Sequence, residues 1–254
     1  MKEGASMLIN IIAANADLMV QVDPDVDGFS AAALFINYLE KLFPAYVKNH
    51  ITYRLQEGKE HGIIPETIPN NIKLVVAPDS SSNSVDECAV LASRGVQVLV
   101  IDHHEADTPA TEACIINNQL CEYPNKSLAG VGVVYKFCSY IDELMNTNHA
   151  NDLIDLVALG CVADMVSLQE FETAHLVRCG IQNVKNPFFK TMVEKQAFSL
   201  KDGLNPFGIA FYIAPYVNAT IRVGSQQEKL ILFESMLESK GYELIPSTKR
   251  GCKG

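Results

Sequence analysis

The chain reads as an α/β fold, a mostly parallel sheet flanked by helices, with a more helical C-terminal third. Three observations predict this. Apolar runs (LMVQVD, NIKLVVAPD, VQVLVIDHH) alternate with amphipathic segments over the first two-thirds of the sequence. The runs are nearly continuous in Val, Ile and Leu, as strands covered on both faces are. Beyond about Ser127 the period changes to a helical one and stays there.

The elements follow in order. MKEGASMLINIIAANADLMV begins as an amphipathic helix and passes into a strand. Asn10, Asn15 and Asp17 interrupt it, so it lacks the continuous apolar core of a secretory signal. After LMVQVD comes the turn PDVDG, then Ala31, Leu34, Phe35, Tyr38, Leu39 and Leu42 at helical spacing until Pro44 ends the pattern. KNHITYRL alternates and predicts a second strand, with Gly58 and Gly62 flanking the polar segment after it. NIKLVVAPD is a buried strand stopping at Pro78. SSSNSVDECAVLASRG predicts a helix, its Ser/Asn-rich entry able to cap it and Gly95 at the C-cap. VQVLVIDHH is the next strand. SLAGVGVVYKFCSYIDELM, DLIDLVALGCVADMVSL, GIQNVKNPFFKTMVEKQ and QQEKLILFESMLESK carry helical patterns, and the tail STKRGCKG is polar, basic and aperiodic.

At 254 residues, 48% hydrophobic and 20% charged, the chain can bury a substantial core. A change of character at NPFF divides it into a core domain, residues 1–185, and a helical extension, residues 186–254. No apolar run reaches the ~18 residues of a membrane span, so no membrane partner is expected and a cytoplasmic location follows. The 7 cysteines form no CxxC pair and no zinc spacing, which predicts buried, reduced thiols. A formal net charge of −10 argues against a large basic groove for nucleic acid. No feature sets an oligomeric state.

Hard ligands gather at the ends of the apolar runs. Asp23, Asp25 and Asp27 stand at alternate positions in VDPDVDGFS. The same residues suit a capped turn, and an EF-hand is excluded because Leu34 occupies the position of its bidentate Glu. Three carboxylates so close repel one another unless a cation neutralises them. Asp79 follows LVVAP, either as a cap for the next helix or as a ligand at the carboxyl edge of the sheet. Asp102, His103 and His104 form the most specific group. Neighbouring side chains on extended backbone point apart, so one imidazole can ligate a metal while the other faces a phosphate or a carboxylate. Asp164 sits in an apolar helix, where a lone carboxylate is costly unless ligated or near the helix end. Gly130, Gly132 and Lys136 in AGVGVVYKF fit either a phosphate-binding helix start or tight helix–sheet packing. Asn218 and Arg222 in PYVNATIRVGS stand four apart, and Arg suits bidentate phosphate contacts, although a single loop Arg is usually just solvated. His50, His61, His149 and His175 read as surface residues. Carboxylates with one imidazole suit Mn²⁺ or Mg²⁺, and a pair of such ions is a common device for cutting phosphate esters.

VDPDVDGFS, APDSSSN, VIDHH and GCVADMVSL resemble, in order, the four motifs of the DHH phosphoesterases. DPDVDG, LAGVGVVYKF and PYVNATIRVGS are most similar to the RecJ branch, single-stranded-DNA-specific exonucleases. The resemblance spans Asp23 to Gly224. It implies two Mn²⁺ or Mg²⁺ ions held by Asp25, Asp27, Asp79, His103 and Asp164, with Asp79 shared between them. It further implies that Asp102 orients the site, that His104 touches the scissile phosphate, and that Asn218 and Arg222 bind nucleotide phosphate. The implied activity is 5′-to-3′ hydrolysis of single-stranded DNA to nucleotide monophosphates. Alternatives are a phosphoesterase for oligoribonucleotides, cyclic dinucleotides or pyrophosphate, and a non-catalytic DHH scaffold. The chain departs from the pattern at Gln21, where many members carry histidine, and at the Ser-Ser after Asp79. It also carries no glycine-rich second domain downstream, which predicts a fragment of a longer protein.

Overall fold

The computed structural model describes residues 1–57, 60, 62–201 and 203–240. Gly58, His61, Cys252 and the tail STKRGCKG lie outside the described residues. Strands β1 (Asp17–Val22), β2 (Ile51–Leu55), β3 (Ile72–Pro78), β4 (Gln97–Asp102) and β5 (Cys114–Asn117) form one sheet in the order β2-β1-β3-β4-β5. Every neighbouring pair is parallel. The chain builds outward from β1 to β2, then returns past β1 to β3, so the winding reverses between β1 and β3. In open parallel sheets that reversal leaves a crevice beyond the carboxyl ends of the strands.

The period of two sorts side chains onto the two faces. Leu18, Val20, Val22, Leu74, Val76, Leu99 and Ile101 join the larger apolar cluster, whereas Met19, Val75, Ala77, Val98 and Val100 join a smaller one. The larger cluster is covered by α1 (Lys2–Ala13), α2 (Val26–Leu42), α5 (Gly130–Met145) and α6 (Ile154–Ala163). The smaller one lies under α4 (Val85–Ser93), whose Cys88 and Leu91 are buried in it. Helix α2 is the axis of the larger layer: every residue from Val26 to Leu39 is buried.

Short α3 (Pro44–His50) follows α2, with Pro44 opening it rather than only ending the helix before. The strand expected from Lys48 therefore begins at Ile51. His50, expected to be a plain surface residue, bonds through Nδ1 to Asp17 Oδ1 at 2.9 Å and stacks on Tyr46. Helix α4 starts at Val85 with no side-chain cap from Ser84, so the serine-rich entry does other work; Gly95, at φ +69°, does end it. The helix expected over 180–196 is two, α7 (Phe171–Gln182) and α8 (Pro187–Lys195), parted where Asn186 caps α8. The PYVNATIRVGS segment, expected as a loop, is α10 (Ala214–Val223); its proline lies in the first turn, where no N–H is missed. Before it run α9 (Pro206–Gly208) and a π-helical turn at Ile209–Ile213. Helix α11 (Gln226–Ser235) closes the described chain, with Phe233 edge-on to Phe29 of α2 at 5.5 Å. Asn37 and Asn186 both donate to the Met236 carbonyl at 2.9 Å, tying this end to α2.

Cys88, Cys138 and Cys161 are buried and Cys121 is exposed, contrary to the expectation for that residue; it lies in the irregular segment after β5. Among the described residues no helix is long and apolar enough to cross a membrane.

Candidate metal centre

The carboxyl ends of β1, β3 and β4 deliver the acidic and imidazole side chains to the crevice. Beyond β1, Asp25 caps α2, its Oδ1 accepting from Gly28 N at 2.9 Å. Gly28 is required there, since a Cβ would overlap Asp23. Asp27 lies in the first turn of α2, buried, and faces the start of α5: Oδ2 accepts from Gly130 N at 2.7 Å and Oδ1 from Val131 N at 3.1 Å. The free N–H groups and dipole of a helix start favour such an anion. Asp79 follows β3 with φ 66°, a left-handed conformation rare outside glycine. Ser81 at φ 82° and Met165 at φ 58°, each one or two residues past a candidate ligand, repeat that feature. Strained backbone of this kind persists where surrounding structure over-determines it, often at functional sites.

His103 leaves β4 and sits among three carboxylates. Its Nε2 lies 3.3 Å from Asp79 Oδ1, 3.8 Å from Asp164 Oδ2 and 3.9 Å from Asp27 Oδ2. Asp164 terminates α6 and is the more solvent-open member. Among the described residues, possible ligand atoms fall into three groups, each within 4.8 Å: Asp27 with His103 and Asp164, Asp23 with Asp25 and Asp79, and Asp79 with His103 and His104. Asp79 belongs to two of them. The structure thus brings together Asp25, Asp27, Asp79, His103 and Asp164, and adds Asp23, which the sequence offers only as a neighbour.

Asp102 lies behind the pair of histidines. Its Oδ1 accepts from His103 N at 2.7 Å, His104 N at 3.1 Å and His104 Nδ1 at 2.7 Å, while Oδ2 accepts from Ser82 N at 3.1 Å. Burial opposes its ionisation, yet the bonds from His104 and Ser82 hold its carboxyl at about 2. The same Asp102 bond lifts His104 to about 9. Burial, reinforced by the charge on His104, lowers His103 to about 4, which keeps its imidazole neutral, the form that ligates metal. Burial, and then the neighbouring carboxylates (Asp25 and Asp164 for Asp27; Asp27 and Asp25 for Asp79), push Asp27 and Asp79 well above the usual carboxylate range. Burial and then the Asp25 charge raise Asp164 to about 6. Buried like charges of this sort call for a counter-cation.

Space for these carboxylates comes from glycines. A Cβ on Gly130 would overlap the Asp79 carboxylate, and one on Gly160 would strike Asp27 Oδ1 and Val131. Gly130 N, a candidate phosphate donor, is thus given to Asp27. Gly132 lies against Leu128, with 3.2 Å left for a Cβ. Lys136 Nζ donates to Glu172 Oε1 at 2.8 Å. Asn218 is half-buried on α10 and Arg222 is exposed in its last turn; the carboxylate–imidazole cluster is complete without them. Gly28 and Gly160 stand inside the quoted motifs VDPDVDGFS and GCVADMVSL, but the close approach that requires each, of Asp23 and of Asp27 with Val131, is not visible in the sequence.

The chain is similar to known proteins along nearly its whole length. It is 42% identical over 250 residues to the SPbeta prophage-derived protein YorK of Bacillus subtilis (strain 168), a candidate single-strand DNA-specific exonuclease; the match covers 98% of this chain and 42% of YorK. It is 29% identical over 233 residues to the single-stranded-DNA-specific exonuclease RecJ of the same organism, covering 88% of this chain and 28% of RecJ. The chain therefore spans less than half the length of either relative. Its fold matches the crystal structure of RecJ in complex with Mn²⁺ from Thermus thermophilus with a TM-score of 0.77 at 22% identity, over 92% of this chain and 34% of that one. Residues 18–161 match the model of the DHH family, N-terminal domain, and the chain belongs to that family.

Proposed function

We propose that this chain is the catalytic part of a metal-dependent phosphodiesterase that degrades single-stranded DNA from the 5′ end and releases nucleotide monophosphates. The observation that carries the reading is His103 Nε2 ringed by oxygens of Asp79, Asp164 and Asp27, all within 3.9 Å. Asp79 Oδ1 is buried and accepts no hydrogen bond, a cost that a cation removes. Oxygen donors with one imidazole fit Mn²⁺ or Mg²⁺. Asp25, Asp27, Asp79, His103 and Asp164 would hold two such ions, with Asp79 common to both and Asp23 adding a further oxygen. Bound there, the ions would supply a water nucleophile at neutral pH and offset phosphoryl charge.

The remaining residues orient and neutralise. Asp102 fixes the ring of His104 through Nδ1, which leaves Nε2 for a phosphoryl oxygen of the scissile group. Asp102 also holds the His103 amide and so sets where β4 ends. Arg222 and Asn218 on α10 would hold a nucleotide phosphate beyond the reacting one. The names of YorK and RecJ support single-stranded DNA as the substrate class.

The test is Mn²⁺-dependent hydrolysis of a 5′-phosphorylated, labelled single strand beside a dinucleotide. Asp79→Ala and His103→Ala should abolish both turnover and calorimetric Mn²⁺ binding while circular dichroism stays native. Wild-type turnover in either variant overturns the assignment, and hydrolysis of the dinucleotide alone would move the substrate to the small-molecule class.

A further inference from the structure

We propose that Phe207 and Phe211 form a stacking platform for the bases of a single strand, with Lys201 beside it on the phosphates. This rests on the single-stranded-nucleic-acid reading above and names where that strand lies beyond the reacting phosphate. The two rings stack at 4.4 Å between centroids and 28° between planes, yet they are 59% and 61% exposed. Two apolar rings held parallel in water present the flat face that a base covers, and such stacking is tolerant of sequence. The π-helical turn at Ile209–Ile213 carries Phe211, while Ile209 and Ile213 of the same turn are fully buried. The platform is thus anchored from below.

The segment that carries the platform has the matching charge in sequence. Residues 183–223 contain five Lys or Arg (Lys185, Lys190, Lys195, Lys201, Arg222) against Glu194 and Asp202, a net of +3 in a chain of −10; Lys185 is paired with Asp152, outside that stretch. The stretch from Phe188 to Tyr216 holds seven aromatic residues of a total of 11 Phe and 9 Tyr. Basic residues interleaved with aromatic ones, inside an otherwise acidic chain, are complementary to a polyanion with π faces. Lys201 Nζ lies 5.0 Å from the centroid of the Phe198 ring, which is 83% exposed. Leu200, next to Lys201, packs on Gly208 so closely that a Cβ there would overlap it, which joins the Lys201 turn to the Phe207 stack. On the other side, Leu204, Asn205 and Pro206 share a 430 Å³ pocket with Leu168, four residues beyond Asp164. The chain that leads into the platform thus shares a pocket with the segment that leaves the candidate metal centre.

The experiment is fluorescence anisotropy with a 20-mer of thymidylate and an abasic strand of equal length, in EDTA so that neither is cut. Phe207→Ser/Phe211→Ser should weaken the thymidylate strand by about tenfold or more, and the abasic strand should bind the unsubstituted chain equally weakly. Phe207→Tyr/Phe211→Tyr should restore affinity, which a loss of folding would not allow. Unchanged affinity in the serine variant, or an abasic strand that binds as tightly as thymidylate, overturns the platform. Unchanged affinity accompanied by loss of self-association in light scattering overturns it in favour of a protein contact. Mn²⁺-dependent hydrolysis by the unsubstituted chain is read separately: its absence sinks the hydrolase reading and leaves the anisotropy result standing.

Discussion

Gly160 of α6 lies against Asp27 so closely that a single methyl group on its Cα would overlap the carboxylate oxygen Oδ1. Gly160→Ala should displace Asp27 and crowd Val131 on α5. The expected result is weaker Mn²⁺ binding in calorimetry, together with an overpacking loss of about 1–3 kcal/mol in denaturant unfolding. Unaltered affinity and stability would show that the two helices simply part to make room.

Asp102 accepts three N–H bonds at one oxygen, from His103 N, His104 N and His104 Nδ1. Asn at that position can turn its amide nitrogen toward the same donors or lose charge at its oxygen; either change weakens the anchor of both histidines. Partners of this kind typically cost about 10–100-fold in affinity or activity. Asp102→Asn should therefore lower kcat within about that range, measured by single-turnover cleavage with saturating Mn²⁺. A kcat close to that of the unsubstituted chain would remove Asp102 from the positioning role.

Cation binding should also register as stability. An ion that binds only the folded state at 100 times its Kd adds about 2.7 kcal/mol. Mn²⁺ should raise the unfolding midpoint of the unsubstituted chain over its value in EDTA, and Asp79→Ala should abolish that rise. An equal rise in the variant would place the ion elsewhere.

At the start of α6, the opposite end from Asp164, Asp155 is fully buried and accepts from Leu156 N at 3.0 Å, Lys185 N at 2.7 Å and Asn186 N at 2.6 Å. Its removal orphans the backbone turn between α7 and α8. Asp155→Ala should cost about 2–4 kcal/mol in urea unfolding, with Mn²⁺ affinity retained at low temperature. A loss below about 0.5 kcal/mol, the level of an ordinary surface change, would mean that water replaces the carboxylate.

The sheet is legible in the sequence where strands run six residues or more in Val, Ile and Leu, as β1, β3 and β4 do. Strand β5 is not: CIIN has four residues, too few for a period to show. Helix α10 hides behind Pro215 and Asn218, residues that punctuate loops as readily as they sit in a first turn or on a polar helix face. The candidate ligands are visible because each stands at the end of an apolar run, and parallel strands bring such ends to one edge. Asp23 is passed over as a ligand because three alternate aspartates look alike without the third dimension. Lys136 looks free for phosphate because Glu172, its partner, comes from another helix. For Asp23 and Lys136, what stays hidden is contact with a segment distant in the chain.

The candidate ligand groups differ in how much polypeptide they require. Asp23, Asp25 and Asp79 all come from the first 79 positions, whereas Asp27, His103 and Asp164 need both the docking of α5 onto Asp27 and the end of α6. During synthesis on the ribosome, the earliest moment at which the two can exist is therefore not the same. The first group needs only residues up to Asp79; the second needs far more of the chain to have emerged.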